Sequence, residues 1–187
     1  MEIKKENKVV DFLKRYGVYV VVGVVVFAVA LTFTLLATLN SSVQTGVDNA
    51  NFVMPMTDAS IAKDYSDTNL QYNETLNQWE AHMSVDLTSE SSDVFAVLGG
   101  TVTSVDYQYL DGYIVTIDHG NGFVSIYSSL AENVDVEEND RVSAGQKIGS
   151  ASESASGELE QGAHLHFTLM LNDEYVDPND YLNLQLK

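Results

Sequence analysis

The fold is decided by residues 113–130, which read Tyr113-Ile114-Val115-Thr116-Ile117-Asp118-His119-Gly120-Asn121-Gly122-Phe123-Val124-Ser125-Ile126-Tyr127-Ser128-Ser129-Leu130. Two runs of β-branched and aromatic residues flank Asn121-Gly122, a dipeptide that supplies the positive φ angles of a tight hairpin turn. Working outward, residues 94–98 form a short apolar run that stops at Gly99-Gly100, and residues 101–107 resume with β-branched residues. After the hairpin come an acidic turn region at 132–140 and a glycine-punctuated stretch at 142–149. Residues 150–162 are rich in Ser, Ala, Gly and Glu and read as an exposed loop. Residues 164–171 form a last strand and 175–181 close the domain. No amphipathic helix of any length is legible beyond residue 40. These patterns predict an all-β protein, a compact antiparallel sheet or sandwich that begins near Phe52-Val53-Met54-Pro55 and ends near residue 183.

Residues 16–39 are almost wholly apolar, and no charge occurs between Arg15 and Asp48. About 20 such residues cross a bilayer as a helix. A cleaved signal peptide would have an apolar core of about 7–15 residues ending in a small-x-small site, which this run does not. Lys4, Lys5, Lys8, Lys14 and Arg15 precede the span and orient it with the N-terminus in the cytoplasm. The expected order is a cytoplasmic tail at 1–15, a transmembrane helix at 16–39, a polar stem at 40–52 and an extracytoplasmic domain at 53–183.

The chain carries 9 Lys and Arg against 27 Asp and Glu, with only Lys63, Arg141, Lys147 and Lys187 basic beyond residue 40. So acidic a surface repels phosphate backbones and excludes nucleic acid as a partner. With no cysteine, disulfides and thiolate metal sites are excluded, and any metal must be held by His, Asp or Glu.

There are four histidines. In His164-Leu165-His166, strand alternation turns both imidazoles to one side and Leu165 and Phe167 to the other. His82 and Asp86, four apart, share a face of either a helix turn or a strand. Two His and one Asp suit zinc, with water in a fourth position. Taken alone, each of these spacings also suits an ordinary surface pair, and His119 suits a turn residue at the hairpin tip.

The motifs occur together and in order. Trp79-Glu80-Ala81-His82-Met83-Ser84-Val85-Asp86-Leu87, Val97-Leu98-Gly99-Gly100-Thr101-Val102, Val115 to Gly122, Arg141 to Gly149, Ala163-His164-Leu165-His166-Phe167 and Val176-Asp177-Pro178 resemble the successive motifs of the lysostaphin/LytM zinc metallopeptidases. The resemblance implies one zinc held by His82, Asp86 and His166. It gives His164 the role of general base or transition-state stabiliser, and peptidoglycan peptides the role of substrate. One position departs: where the family has Tyr-x-His-Leu, this chain has Tyr127-Ser128-Ser129-Leu130, so Ser129 replaces the second catalytic histidine. Loss of an oxyanion donor costs on the order of 10²–10³ in rate in comparable sites. Tyr-x-Ser-Leu behind one span and a short stem resembles the stage II sporulation protein Q branch of the family. That branch implies a place in the forespore membrane and a mother-cell membrane partner, stage III sporulation protein AH.

Overall fold

The computed structural model describes residues 15–19, 26–27 and 51–182. Residues 15–19 and 26–27 are helical, and among the described residues no helix is long and apolar enough to cross a membrane. The rest of the expected span at 16–39, the tail at 1–14 and the stem up to residue 50 lie outside the described residues. The chain divides into two compact units, Met1–Thr45 and Gly46–Lys187, and the second carries all that follows.

Among the described residues of this unit there are twelve strands: β1 (Ser60–Lys63), β2 (Ser66–Asn73), β3 (Gln78–His82), β4 (Val85–Thr88), β5 (Asp93–Phe95), β6 (Gly100–Gln108), β7 (Gly112–Gly120), β8 (Phe123–Leu130), β9 (Arg141–Val142), β10 (Lys147–Ser150), β11 (Leu165–Leu171) and β12 (Glu174–Val176). Eight of them form one sheet in the order β1-β4-β11-β8-β7-β6-β9, with β12 pairing β11. Two ribbons, β5–β10 and β2–β3, complete the fold. Every pairing is antiparallel.

The expected hairpin is present, but its first strand runs past Asp118 through His119 and Gly120, which the sequence assigned to the turn. Gly120 pairs with Phe123 across Asn121-Gly122, whose φ angles are 53° and 84°. Alternation then assigns the two faces of the sheet. Val85 and Leu87 of β4, Val115 and Ile117 of β7, Tyr127 of β8, and Leu165 and Phe167 of β11 are fully buried in one core. Val94 and Ile148 of the β5–β10 ribbon join the same core. Phe52 also packs there, edge-on to Phe123 at 5.2 Å between ring centroids and beside Tyr181 at 5.5 Å.

Two expectations change. The run 94–98 is a strand only as far as Phe95. Beyond it, Ala96 N–H donates to the Gln146 carbonyl and Val97 N–H to the Tyr127 hydroxyl, so neither pairs with a strand. Residues 150–162 are not a simple exposed loop. Ala151, Ala155 and Gly157 are buried, and a short 3-10 helix spans Ser156–Gln161. Composition misleads here because small residues suit both a solvated loop and a tightly packed one.

A buried polar chain ties the core to the hairpin. His119 Nδ1 lies 3.1 Å from the Gly99 carbonyl and Nε2 2.6 Å from Ser125 Oγ. Ser125 Oγ is 3.1 Å from the Tyr127 hydroxyl, which accepts from Val97 N–H at 2.8 Å. A carbonyl only accepts, so Nδ1 carries the proton and Nε2 accepts from Ser125. The Tyr127 O–H then donates to Ser125. Burial lowers the His119 pKa despite its bond to Gly99, which favours this neutral tautomer. Tyr127→Phe leaves the buried Val97 N–H without its acceptor. We expect it to destabilise the domain by about 1–3 kcal/mol, measured as a lower urea midpoint with an unchanged slope.

Candidate metal centre

Asp86 and His166 sit directly opposite one another in the β4–β11 pairing. Opposed residues of an antiparallel pair project to the same face, here the one turned away from Leu165 and Phe167. His82 ends β3, and the two-residue link Met83-Ser84 leads straight into β4, which returns its ring to Asp86. His82 Nε2 lies 3.3 Å from Asp86 Oδ2, and His166 Nδ1 lies 2.8 Å from Asp86 Oδ1. The two rings meet edge to face at 5.3 Å between centroids. The structure thus brings together His82, Asp86 and His166.

A fourth donor joins them from the loop that precedes β11. Glu158 Oε2 lies 2.9 Å from His166 Nδ1 and 3.1 Å from His164 Nε2, and Oε1 lies 3.8 Å from His82 Nε2. His82, Asp86, Glu158 and His166 each offer an atom within 4.8 Å of all the others, an arrangement that could hold a metal ion. Sequence reasoning missed Glu158. It lies in a Ser/Gly/Glu stretch beside Glu153 and Glu160, and the only pointer was its position six residues before His164.

The surroundings fit a cation. Asp86 is fully buried, and its Oδ1 faces His166 Nδ1 at 2.8 Å without an aligned hydrogen bond. A buried carboxylate is costly unless a positive charge faces it, which a protonated His166 or a metal ion would supply. His82 Nδ1 lies 2.9 Å from the Asp64 carbonyl, so that nitrogen carries the proton and the Nε2 lone pair is aimed into the cluster, as in metal-binding imidazoles. Ser84 Oγ stands 3.1 Å from the same Nε2. Gln161 Nε2 donates to Asp86 Oδ2 at 2.7 Å, orienting the carboxylate from outside.

His164 is buried beside the cluster, with Nδ1 2.8 Å from the Gly162 carbonyl and Nε2 facing Glu158. Both of its nitrogens thus face acceptors. Ser129 lies apart from these contacts. Its backbone has φ of 60°, its hydroxyl donates to the Ser152 carbonyl at 2.8 Å, and its own carbonyl accepts from Ser152. An open cleft of about 630 Å³ runs from His166 and Glu158 over Ser128, Thr168, Thr116 and Ser104.

Residues 80–178 match Peptidase family M23, and the chain belongs to this family of zinc metallopeptidases. Stage II sporulation protein Q of Bacillus subtilis is 28% identical over 160 residues, 77% of this chain and 55% of that protein. The chain therefore spans little more than half the length of that relative. A solved chain of the SpoIIQ–SpoIIIAH pore-forming complex is 27% identical with a TM-score of 0.62, covering 71% of this chain and 91% of its own. Lysostaphin of Staphylococcus simulans shares the fold at 21% identity and a TM-score of 0.56, over 72% of this chain and 54% of its own.

Without metal the cluster is an ion-pair network. Burial opposes charge on Asp86 and Glu158, but His166 and His82 beside the first, and His164 and His166 beside the second, hold both carboxyls well below the usual range. Burial likewise opposes charge on His166, but Asp86 and Glu158 push its pKa up to about 10. The carboxylates therefore contribute stability above about pH 4, which is lost as pH falls. His166 contributes stability fully present below about pH 6.5, which is lost as pH rises toward about 10. We expect metal-free protein to be most stable between about pH 4 and 6.5. In urea titrations across pH, His166→Gln should flatten the alkaline decline.

Proposed function

We propose that this chain is a membrane-anchored, extracytoplasmic zinc-binding domain that works as a docking scaffold in sporulation, with weak or lost hydrolase activity. The likeness to SpoIIQ carries this reading. It runs over most of the folded unit and includes a chain solved in complex with SpoIIIAH. The partner would be a mother-cell membrane protein of the SpoIIIAH kind, met across the space between two membranes. The anchor rests on the apolar run at 16–39 and the basic residues before it, which would put the N-terminus in the cytoplasm and the domain outside. His82, Asp86 and His166 would hold zinc, which would cross-link β3, β4 and β11 and stiffen the face that surrounds the cleft.

Ser129 supports the loss of efficient hydrolysis. The hydroxyl at the position of the family's second catalytic histidine is committed to the Ser152 carbonyl, and serine cannot become a cation. A second reading, a zinc metalloendopeptidase acting on peptidoglycan peptides, is favoured by His164 beside the cluster and by the cleft that opens onto it. In that reading zinc would supply Lewis acidity and His164 would hold or move a proton at Nε2.

The docking role is tested by capture of a SpoIIIAH-type ectodomain on the full chain. Wild type and Ser129→Ala should retain it equally. Failure of wild type to retain it, or its loss on any change at Ser129, contradicts the role in this form. Binding of zinc is tested separately by metal analysis after dialysis. Wild type should carry about one equivalent, and His82→Ala and His166→Ala should carry almost none.

A further inference from the structure

We infer that Glu158 is the fourth ligand of the zinc site, so that the metal is enclosed by two imidazoles and two carboxylates with no position left for water. The inference rests on the zinc-binding reading above and goes beyond it, since the resemblance assigns three ligands and leaves the fourth position open. It is carried by the placement of Glu158 and by the way its loop is held.

The spacing comes first. Zinc bonds to imidazole nitrogen and carboxylate oxygen are about 2.0–2.1 Å long, so the edges of a tetrahedral ligand set measure about 3.3 Å. One atom each from His82, Asp86, Glu158 and His166 lies within 4.8 Å of all the others, a spread that small side-chain movements would close onto one ion. Glu158 reaches both imidazoles of the set, with Oε2 2.9 Å from His166 Nδ1 and Oε1 3.8 Å from His82 Nε2. Asp86 does the same, with Oδ1 2.8 Å from His166 Nδ1 and Oδ2 3.3 Å from His82 Nε2. Glu158 therefore stands where a fourth ligand belongs.

The charge follows. Zinc on two neutral imidazoles and one carboxylate would leave a net positive charge among groups that are buried or nearly so. A second carboxylate brings the set to neutrality, which burial favours. The side chain of Glu158 is only 11% exposed, and in metal-free protein it stands 2.9 Å from His166 and 3.8 Å from His82, the imidazoles that would bind metal.

The loop is anchored on several sides, so Glu158 is placed before any metal arrives. Gly157 N–H donates to the Leu110 carbonyl at 3.0 Å, and the Gly157 carbonyl accepts from Asn73 Nδ2 at 3.1 Å. Glu160 N–H donates to Thr75 Oγ1 at 3.1 Å, and Lys63 Nζ pairs with Glu158 Oε1 at 3.3 Å. A Cβ at Gly157 would come within 3.1 Å of the Leu110 carbonyl oxygen, so the loop packs closely on the turn between β6 and β7. These anchors come from the β2–β3 ribbon, from the end of β1 and from that turn. The loop is thus clamped from both sides of the cleft. A closed ligand set of this kind is the mark of a structural rather than a catalytic zinc site.

The test uses the full chain in detergent, loaded with zinc or with cobalt(II) as a visible reporter. Four-coordinate cobalt absorbs strongly, and an open position reveals itself when added thiocyanate shifts the bands. Wild type should show intense bands that saturating thiocyanate leaves unchanged. Glu158→Gln should bind zinc more weakly by about 10–100-fold or more, since even partners outside the ligand shell carry that much, and its cobalt bands should respond to thiocyanate. Wild-type bands that shift with thiocyanate would overturn the inference, as would equal zinc affinity in the two proteins. The wild-type thiocyanate arm decides the matter even if the variant fails to fold. If wild type takes up no metal at all, the zinc-binding reading itself falls, which separates the two failures.

Discussion

Asp86 and His166 face one another across two antiparallel strands, and the site depends on that register. Side-chain period along a strand is two, so a slip of one residue would turn Asp86 into the core and carry Val85 or Leu87 out to the cleft. The register is held from the apolar side. Leu165 opposes Leu87, and Phe167 opposes both Val85 and Tyr127, and all five are fully buried. The same alternation that packs the core therefore presents a carboxylate and an imidazole to each other on the opposite face. His82 arrives through the two-residue link from β3, and Glu158 through the loop before β11. Neither could reach the pair if β4 and β11 were not adjacent.

The cluster concentrates opposite charges in a place where leaving either unpaired would be costly. Removing one partner of a buried ion pair typically costs about 3–5 kcal/mol, so two carboxylates with no cation would destabilise the fold around them. Protons on the imidazoles or a divalent cation can each supply the balance. The protein outside the cluster offers little else: beyond residue 40 its basic residues are Lys63, Arg141, Lys147 and Lys187. Among the described residues of this set, Lys63 is the one that pairs with a member of the cluster. In so acidic a chain this local arrangement is a property of the site and not of the surface at large.

Much of this was legible in the sequence because the relevant signals are local. The β7–β8 hairpin announces itself through β-branched runs and Asn121-Gly122, and His164-Leu165-His166 through strand alternation. His82 and Asp86 were legible as a same-face pair, although the spacing left helix or strand open, and the structure shows the pair bridging β3 and β4. The edge elements were not legible. β1 is four residues long with an irregular register, and β2 is largely polar and exposed, so neither carries a hydrophobic period. Glu158 was not legible either, for a different reason. It meets Asp86 and His82 only through tertiary contacts that no local pattern encodes, and its neighbours Glu153 and Glu160 look the same in sequence. Ser129 was read as a departure from the family's pattern, but its bond to Ser152 depends on the left-handed backbone at 129, which the sequence does not specify.

The most direct test of the account is X-ray absorption at the zinc edge on the metal-loaded full chain. The account predicts four nitrogen or oxygen neighbours at about 2.0–2.1 Å, with the outer-shell scattering of two imidazole rings. Scattering from one imidazole or none, or a spectrum unchanged in His166→Ala, would contradict the claim that the β4–β11 register assembles a zinc site.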